Sequence, residues 1–141
     1  MTSQEKKEYL RQYLILKAEC DGICDDIEQL HSEYMQAKAI QYDDMPKAHN
    51  SEHDLSDLIV KVEEQRTRFY DSLSRCIAKR AEIRQCIDQL ENPYERRVLI
   101  LRYIYGQKWA AIAIDIGYEE RHVYRIHGSA LASLSVNVSK T

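Results

Sequence analysis

The sequence predicts an all-α protein: a long antiparallel helical hairpin, coiled-coil-like, followed by a small helix-turn-helix domain. Glycine (four) and proline (two) are scarce among the 141 residues, and no long stretch alternates apolar and polar residues as a strand does. Apolar residues instead recur at steps of four and three over most of the chain. We therefore expect the hairpin in residues 1–91, the helix-turn-helix domain in residues 92–135 and a C-terminal tail in residues 136–141.

A heptad pattern of apolar residues predicts each arm of the hairpin. In the first arm the seam positions are Tyr9, Tyr13, Leu16, Cys20, Ile23, Ile27, Leu30, Tyr34 and Ala37. In the second arm they are Leu55, Ile59, Val62, Arg66, Phe69, Leu73, Cys76, Arg80, Ile83, Ile87 and Leu90. Met45-Pro46 cannot continue a helix, and Ser51 followed by Asp54 indicates the start of the second arm.

Further apolar residues lie beside these seams and widen the apolar stripe, namely Leu10, Leu58, Tyr70 and Ile77. We interpret them as a sign of self-association into a homodimer or higher oligomer. The alternative is that the hairpin packs on its own C-terminal domain. Arg66 and Arg80 either fix the register by pairing across the seam or lie at its margin with their tips in water.

The sequence indicates neither catalysis nor a cofactor. It has no phosphate-binding glycine loop, no nucleophile elbow and no metal-ligand cluster, so we expect no enzyme, no catalytic residue, no metal and no small-molecule substrate. A hairpin could bring Cys20, Cys24 and Cys76 near one another, but we interpret the cysteines as buried packing residues because their spacing is not that of a compact zinc site.

The N-terminal segment is polar and charged, and no apolar run approaches the roughly 20 residues that a membrane helix needs. We therefore expect a protein of the cytoplasm with no membrane partner.

The C-terminal part predicts three short helices. Asn92 as the cap and Pro93 as the first helical residue begin one that ends at Gly106. The next runs from about Lys108 to Asp115, and the last from about Glu120 to Leu134. Between them Gly117 supplies a left-handed turn. The residues that allow two helices to cross closely, as in a helix-turn-helix, are Ala113, Gly117, Val123 and Ile126.

The charge distribution favours the C-terminal part for binding DNA. Residues 93–141 carry seven Lys and Arg against four Asp and Glu, although the whole chain has a net charge of −3. Arg121 and Arg125 are predicted to project opposite the buried Val123, where guanidinium groups suit guanine edges or phosphates. Further basic residues are candidates for flanking phosphates: Arg96, Arg97, Arg102 and Lys108.

Residues 83–134 resemble a sigma-70 region-4 domain, and the whole chain resembles phage and prophage late-transcription regulators of the ArpU and RinA kind from Gram-positive bacteria. The matching residues are Leu101, Arg102, Tyr103, Ile104, Gly106, Trp109, Ile112, Ala113, Gly117, Tyr118, Val123, Arg125, His127, Ala130 and Leu131. Lys108 and Glu119 depart from the pattern, because these families place a Ser or Thr cap there, and this departure predicts weaker helix starts.

The resemblance implies a sequence-specific transcriptional regulator of phage late genes that binds double-stranded DNA in a bacterial host cell. The contact residues it implies are Glu120, Arg121, Tyr124 and Arg125, with His122 beside them. Alternatively, Glu120 only favours the helix N-terminus and Tyr124 only packs on a neighbour. We interpret His127 as a hydrogen-bonded structural residue.

Two other functions remain open at this point. One is a phage packaging protein similar to a small terminase subunit, which a large ring of subunits would favour. The other is a sigma-like module that binds RNA polymerase or another regulator instead of DNA.

Overall fold

A computed structural model describes residues 1–43 and 49–136, with side-chain surroundings for residues 1–40 and 55–136. The helices are α1 (Ser3–Asp43), α2 (His49–Asp88), α3 (Pro93–Leu99), α4 (Trp109–Ile116) and α5 (Glu120–Ser133), and α3 continues into a π-helical segment, Ile100–Ile104. No strand occurs in the described ranges, so the predicted all-α class is confirmed. None of the helices described there is long and apolar enough to cross a membrane.

The boundaries of α2 differ from those predicted. The helix begins at His49, two residues before Ser51, so Ser51 does not mark its start. Its regular part ends at Asp88 instead of near Glu91, because the next two amides bond three residues back, from Gln89 to Cys86 and from Leu90 to Ile87. These shorter bonds tighten the last turn and end the helix. Met45 and Pro46 lie outside the described residues.

The chain divides into two compact units, Lys17–Arg75 and a unit that joins Met1–Leu16 to the chain from Cys76 onward. This division differs from the predicted boundary at residue 91, because the two ends of the hairpin share a core with the C-terminal helices. Leu10 is fully buried in that core, together with Ile87, Leu99 and Leu131. For Leu10, packing on the chain's own C-terminal helices is therefore confirmed.

Within the joined unit, Tyr9 shows how α1 and α2 pair. Its hydroxyl lies 3.8 Å from the Cys86 sulfur, and the Lys79 ammonium lies 5.6 Å from its ring centroid. Because Tyr9 is near the start of α1 and Cys86 is near the end of α2, the two helices run antiparallel there. Burial raises the pKa of Tyr9 well above its usual value, so its phenol stays neutral.

Burial along α1 follows the predicted seam throughout, and burial along α2 follows it at eight of the eleven predicted positions. Every predicted seam residue of α1 is buried or half-buried. On α2, Ile59, Arg66 and Arg80 are exposed, so their placement in the seam is wrong. The residues one position earlier, Leu58, Gln65 and Lys79, are half-buried instead, and Ser72 is buried beside the half-buried Leu73.

Desolvation gives the physical reason why Arg66 and Arg80 lie outside the seam. A guanidinium group inside the seam would lose its hydration at a cost above that of an uncharged amide or hydroxyl. Gln65 Oε1 and Ser72 Oγ are buried there without a hydrogen-bond partner among the described residues and bear the smaller cost of neutral polar groups. Arg66 instead bonds Glu63 of its own helix at 3.2 Å, with about half of its side chain exposed. The alternative that these arginines reach water by their tips is therefore confirmed for Arg66.

Two hydrophobic clusters hold the C-terminal helices together. One joins Val98, Leu101, Ile112, Ala113 and Val123. The other contains the hairpin ends and Leu99, Ile100, Tyr103, Ile104, Ala130, Leu131 and Leu134. The π-helical segment lies between the clusters and contributes to both, since Leu101 belongs to the first and its neighbours belong to the second. Its wider turn, closed by the amide of Tyr105 on the carbonyl of Ile100, fits this nearly all-round burial.

Gly117 makes the turn between α4 and α5. Its φ of 77° is left-handed, and its amide and that of Tyr118 both donate to the Ala113 carbonyl, at 3.0 and 3.1 Å. A side chain at this φ would strain the backbone. Ile112 and Val123 are completely buried across the resulting crossing, so the predicted packing of the pair is confirmed.

Candidate nucleic-acid interface

The outward face of α5 is the candidate interface. The structure exposes all five residues predicted on this helix: Glu120, Arg121, His122, Tyr124 and Arg125. Arg121 and Arg125 lie opposite the buried Val123, with His122 and Tyr124 on either side of them. Among the described residues, neither Arg121 nor Arg125 forms an ion pair or hydrogen bond within the chain, so both guanidinium groups can meet an external partner.

The starts of α4 and α5 lack side-chain caps. Lys108 and Glu119 occupy the N-cap positions, and neither makes a capping hydrogen bond. This agrees with the weaker starts predicted from the missing Ser or Thr. Asn92, in contrast, caps α3 as predicted, because its side-chain oxygen accepts bonds from the amides of Tyr94 (2.9 Å) and Glu95 (3.4 Å).

The Tyr124 ring packs at a tilt against the Trp109 ring, while about half of the Tyr124 side chain stays exposed. Its ring centroid lies 5.0 Å from that of Trp109, so the predicted packing on a neighbour is present. On Trp109, the Arg102 guanidinium lies 4.4 Å from the ring centroid and also donates to the Gln107 carbonyl at 3.0 Å. Arg102, predicted as a flanking phosphate contact, thus supports Trp109 from within the chain.

On the other flank of α5, His122 belongs to a second aromatic group. Its ring centroid lies 4.4 Å from that of Tyr118, which lies 5.6 Å from that of Tyr94. A side-chain hydrogen bond with the neighbouring Tyr94 phenol raises the pKa of Tyr118. About half of the Tyr94 side chain is exposed.

Arg96 and Arg97 already have partners within the chain. Arg96 donates to the Leu90 and Glu91 carbonyls at the end of α2, where free carbonyls favour a cation. Arg97 bonds both carboxylate oxygens of Asp115, at 3.2 and 3.4 Å. A phosphate contact by either arginine would compete with these bonds. Lys108 is exposed, with no ion pair in the described part of the chain.

Glu95 is a buried acid that sequence reasoning missed. It accepts a hydrogen bond of 2.7 Å from the Ser129 hydroxyl and ties α5 to α3. The sequence did mark Glu95, because it follows the Asn92 cap by three residues, which is the spacing of a capping box. It was missed because an acid in a first turn is ordinarily solvent-exposed and stabilised by the helix dipole.

His127 is the buried polar centre of this region. Its Nε2 lies 2.8 Å from the Tyr103 hydroxyl, and its ring contacts Trp109 at 4.7 Å between centroids. The structural interpretation of His127 is therefore confirmed. Burial is the largest cause that lowers its pKa to about 4, followed by the positive charges of Lys7, Arg102 and Arg11.

The cysteines mainly fill the core. Cys20, Cys76 and Cys86 are buried and Cys24 is half-buried, and these four cysteines form no disulfide. Within the described ranges, no three His, Cys, Asp or Glu residues are grouped so that they could hold a metal ion.

Comparison of the chain with models of known families, with curated proteins and with solved structures finds no match.

The low pKa of His127 predicts acid sensitivity. Its folded value of about 4 lies below the ordinary 6.5, so folding excludes a proton that the unfolded chain takes up. The contribution of His127 to the free energy of unfolding is therefore fully present above pH 6.5. It is lost as pH falls towards 4, by an amount on the order of 3 kcal/mol. His127→Gln keeps a hydrogen-bonding group but does not titrate. We expect the melting temperature of this variant to fall less than that of the parent between pH 6.5 and pH 4.

Thermal melts at several pH values measure this difference. His31→Gln is the matched control, because His31 is exposed, and it should follow the parent. Parallel losses of melting temperature in the parent and in His127→Gln would contradict the assignment.

Proposed function

We propose that this protein is a sequence-specific DNA-binding transcriptional regulator with α5 as its recognition helix. The observation that carries the proposal is the pair Arg121 and Arg125, exposed one turn apart on a helix whose opposite face is anchored by the fully buried Val123. Two outward guanidinium groups at this spacing fit base edges or phosphates of a single major groove. Tyr124 and His122, each supported by another aromatic ring, extend the same surface.

The resemblance to region-4 sigma domains and to ArpU- and RinA-like regulators supports this proposal and extends it to phage late genes. In that function the partner is double-stranded DNA, and the contact surface comprises Glu120, Arg121, His122, Tyr124 and Arg125. Lys108, at the start of α4, is the basic residue best available for a neighbouring phosphate, because Arg96 and Arg97 are already bonded.

Self-association completes the proposal. With a net charge of −3, one chain offers few phosphate contacts, and two copies would double them over adjacent half-sites. Ile59 and Tyr70, exposed by 49% and 64%, share one face of α2, since eleven residues make about three helical turns. We propose that a second copy of this chain covers this face.

One observation favours the protein-binding alternative. Ile114, in the middle of α4, is 84% exposed, and Ala110 and Ala111 on the same helix are exposed too. An apolar surface of this kind suits a protein partner such as RNA polymerase. The packaging alternative depends on the number of subunits in the assembly.

The arginine pair gives the direct test of DNA reading. We expect Arg121→Ala to relax discrimination among duplexes by about 1–3 kcal/mol and Arg125→Ala to weaken binding to the cognate duplex by at least about tenfold. Both variants should keep the parent's helicity, because the side chains are exposed. Titration of a labelled duplex, selected by the full-length protein from a random pool, measures these effects against a scrambled duplex.

Two further variants separate a loss of base recognition from a general loss of positive charge and from a loss of folding. Arg68→Ala removes an exposed arginine on the side of α2 opposite Ile59 and should leave binding unchanged. Val123→Ala should lower the melting temperature, because it opens a cavity under α5 worth on the order of 2 kcal/mol. If both arginine variants bound the cognate duplex like the parent, α5 would not be the reader, and the protein-binding alternative would take its place.

The exposed face of α2 predicts the oligomeric state. We expect the parent to have at least twice the 16.6 kDa chain mass at micromolar concentration, and Tyr70→Glu to be monomeric, because a carboxylate would be desolvated in the contact. Light scattering coupled to size exclusion measures both masses. Tyr105→Glu changes an equally exposed tyrosine on another segment and should keep the parent's mass. A monomeric parent at every concentration would refute self-association.

A further inference from the structure

The aromatic group beside α5 has no role in the helix-turn-helix core. Tyr94 at the start of α3, Tyr118 in the turn and His122 on α5 come from three segments, yet their rings form one continuous surface, which we call the tyrosine ledge. Tyr94 is 49% and Tyr118 40% exposed, and His122 is also exposed. Rings that only filled a core would be buried, so the exposure of all three favours an external contact.

The chemistry of the ledge is that of a hydrogen-bond donor. Among the described residues, neither tyrosine hydroxyl donates to a carbonyl or a carboxylate of the chain. The Tyr94 and Tyr118 hydroxyls are hydrogen-bond partners, and in such a pair one phenol donates to the other while the second O–H keeps its donor. This remaining donor, next to an imidazole, suits an anionic oxygen.

The position of the ledge limits what that anion can be. His122 directly follows Arg121 and lies one turn before Arg125 along α5, so the ledge borders the proposed reading face on its α3 side. Trp109 and Tyr124 border the same face on the opposite side. A helix seated in a major groove has a phosphate backbone along each flank, and tyrosine hydroxyls are ordinary donors to those phosphates.

We infer that the tyrosine ledge contacts the phosphate backbone of one DNA strand and sets the orientation of α5 in the groove. The inference rests on the proposed function and adds Tyr94 and Tyr118 to the interface. Glu119 and Glu120 follow the ledge in sequence, so its contact relies on directional hydrogen bonds and not on net positive charge. Losing a phenol should therefore weaken binding to every sequence equally, without changing the number of counterions released.

Substitution by phenylalanine tests this contact, since it removes the hydroxyl and keeps the ring. We expect Tyr94→Phe and Tyr118→Phe in the full chain each to weaken binding to the selected duplex and to its scrambled version by the same factor, about two- to tenfold. The slope of affinity against salt concentration should match that of the parent. Tyr105→Phe, at an exposed tyrosine outside the ledge, is the control and should bind like the parent.

Each other outcome overturns the inference in a distinct way. If the double variant bound both duplexes like the parent while Arg125→Ala bound weakly, the ledge would not touch DNA and the proposed function would stand. Loss on the selected duplex alone would make the ledge a base reader. Loss on single-stranded DNA alone would make it a stacking surface. A parent that binds no DNA would remove both the proposed function and the ledge contact.

Discussion

The inner face of α5 is held at its two ends by different hydrophobic clusters, and the candidate interface depends on this double attachment. Val123 fixes the first half of the helix against α4, and Leu131 fixes the second half against the hairpin ends. A helix held at one end only could rotate or fray, whereas two separate contacts define its orientation. The exposed side chains on its outer face therefore have defined positions before any partner binds, which lowers the entropy cost of binding.

The second cluster also explains why the hairpin cannot be treated as a separate module. Leu10 of α1 and Ile87 of α2 contribute to the same core as Leu131, and Lys6 donates to the Leu131 carbonyl at 2.7 Å. Positive charges from the start of α1 also reach the buried His127, since Lys7 and Arg11 contribute to its lowered pKa. A change at the start of α1 would therefore disturb the support of α5 directly.

The heptad spacing and the residues that start or end helices predicted the helices well, because both act through the conformational preferences of nearby residues. Asn92 with Pro93 and the left-handed Gly117 fix where helices start and turn, and the α1 seam follows the heptads. The exposure of Ile59, Arg66 and Arg80 did not follow from the heptad spacing, because spacing alone does not count the cost of desolvating a guanidinium group. Of the candidate site, the outward arginines were predictable from helical spacing. The bonds of Arg96 and Arg97, and the ledge of Tyr94 and Tyr118, depend on contacts between segments that a linear pattern does not contain.

The central claim is that the outer face of α5 meets DNA. Amide chemical-shift mapping of the full-length protein, titrated with a duplex selected from a random pool, tests it most directly. The account predicts the largest shifts at Arg121, Tyr124 and Arg125, with smaller ones at Tyr94 and Tyr118 and little change in residues 17–40 and 55–75. Shifts confined to those two ranges or to the exposed face of α4 around Ile114, with α5 unperturbed, would contradict the claim.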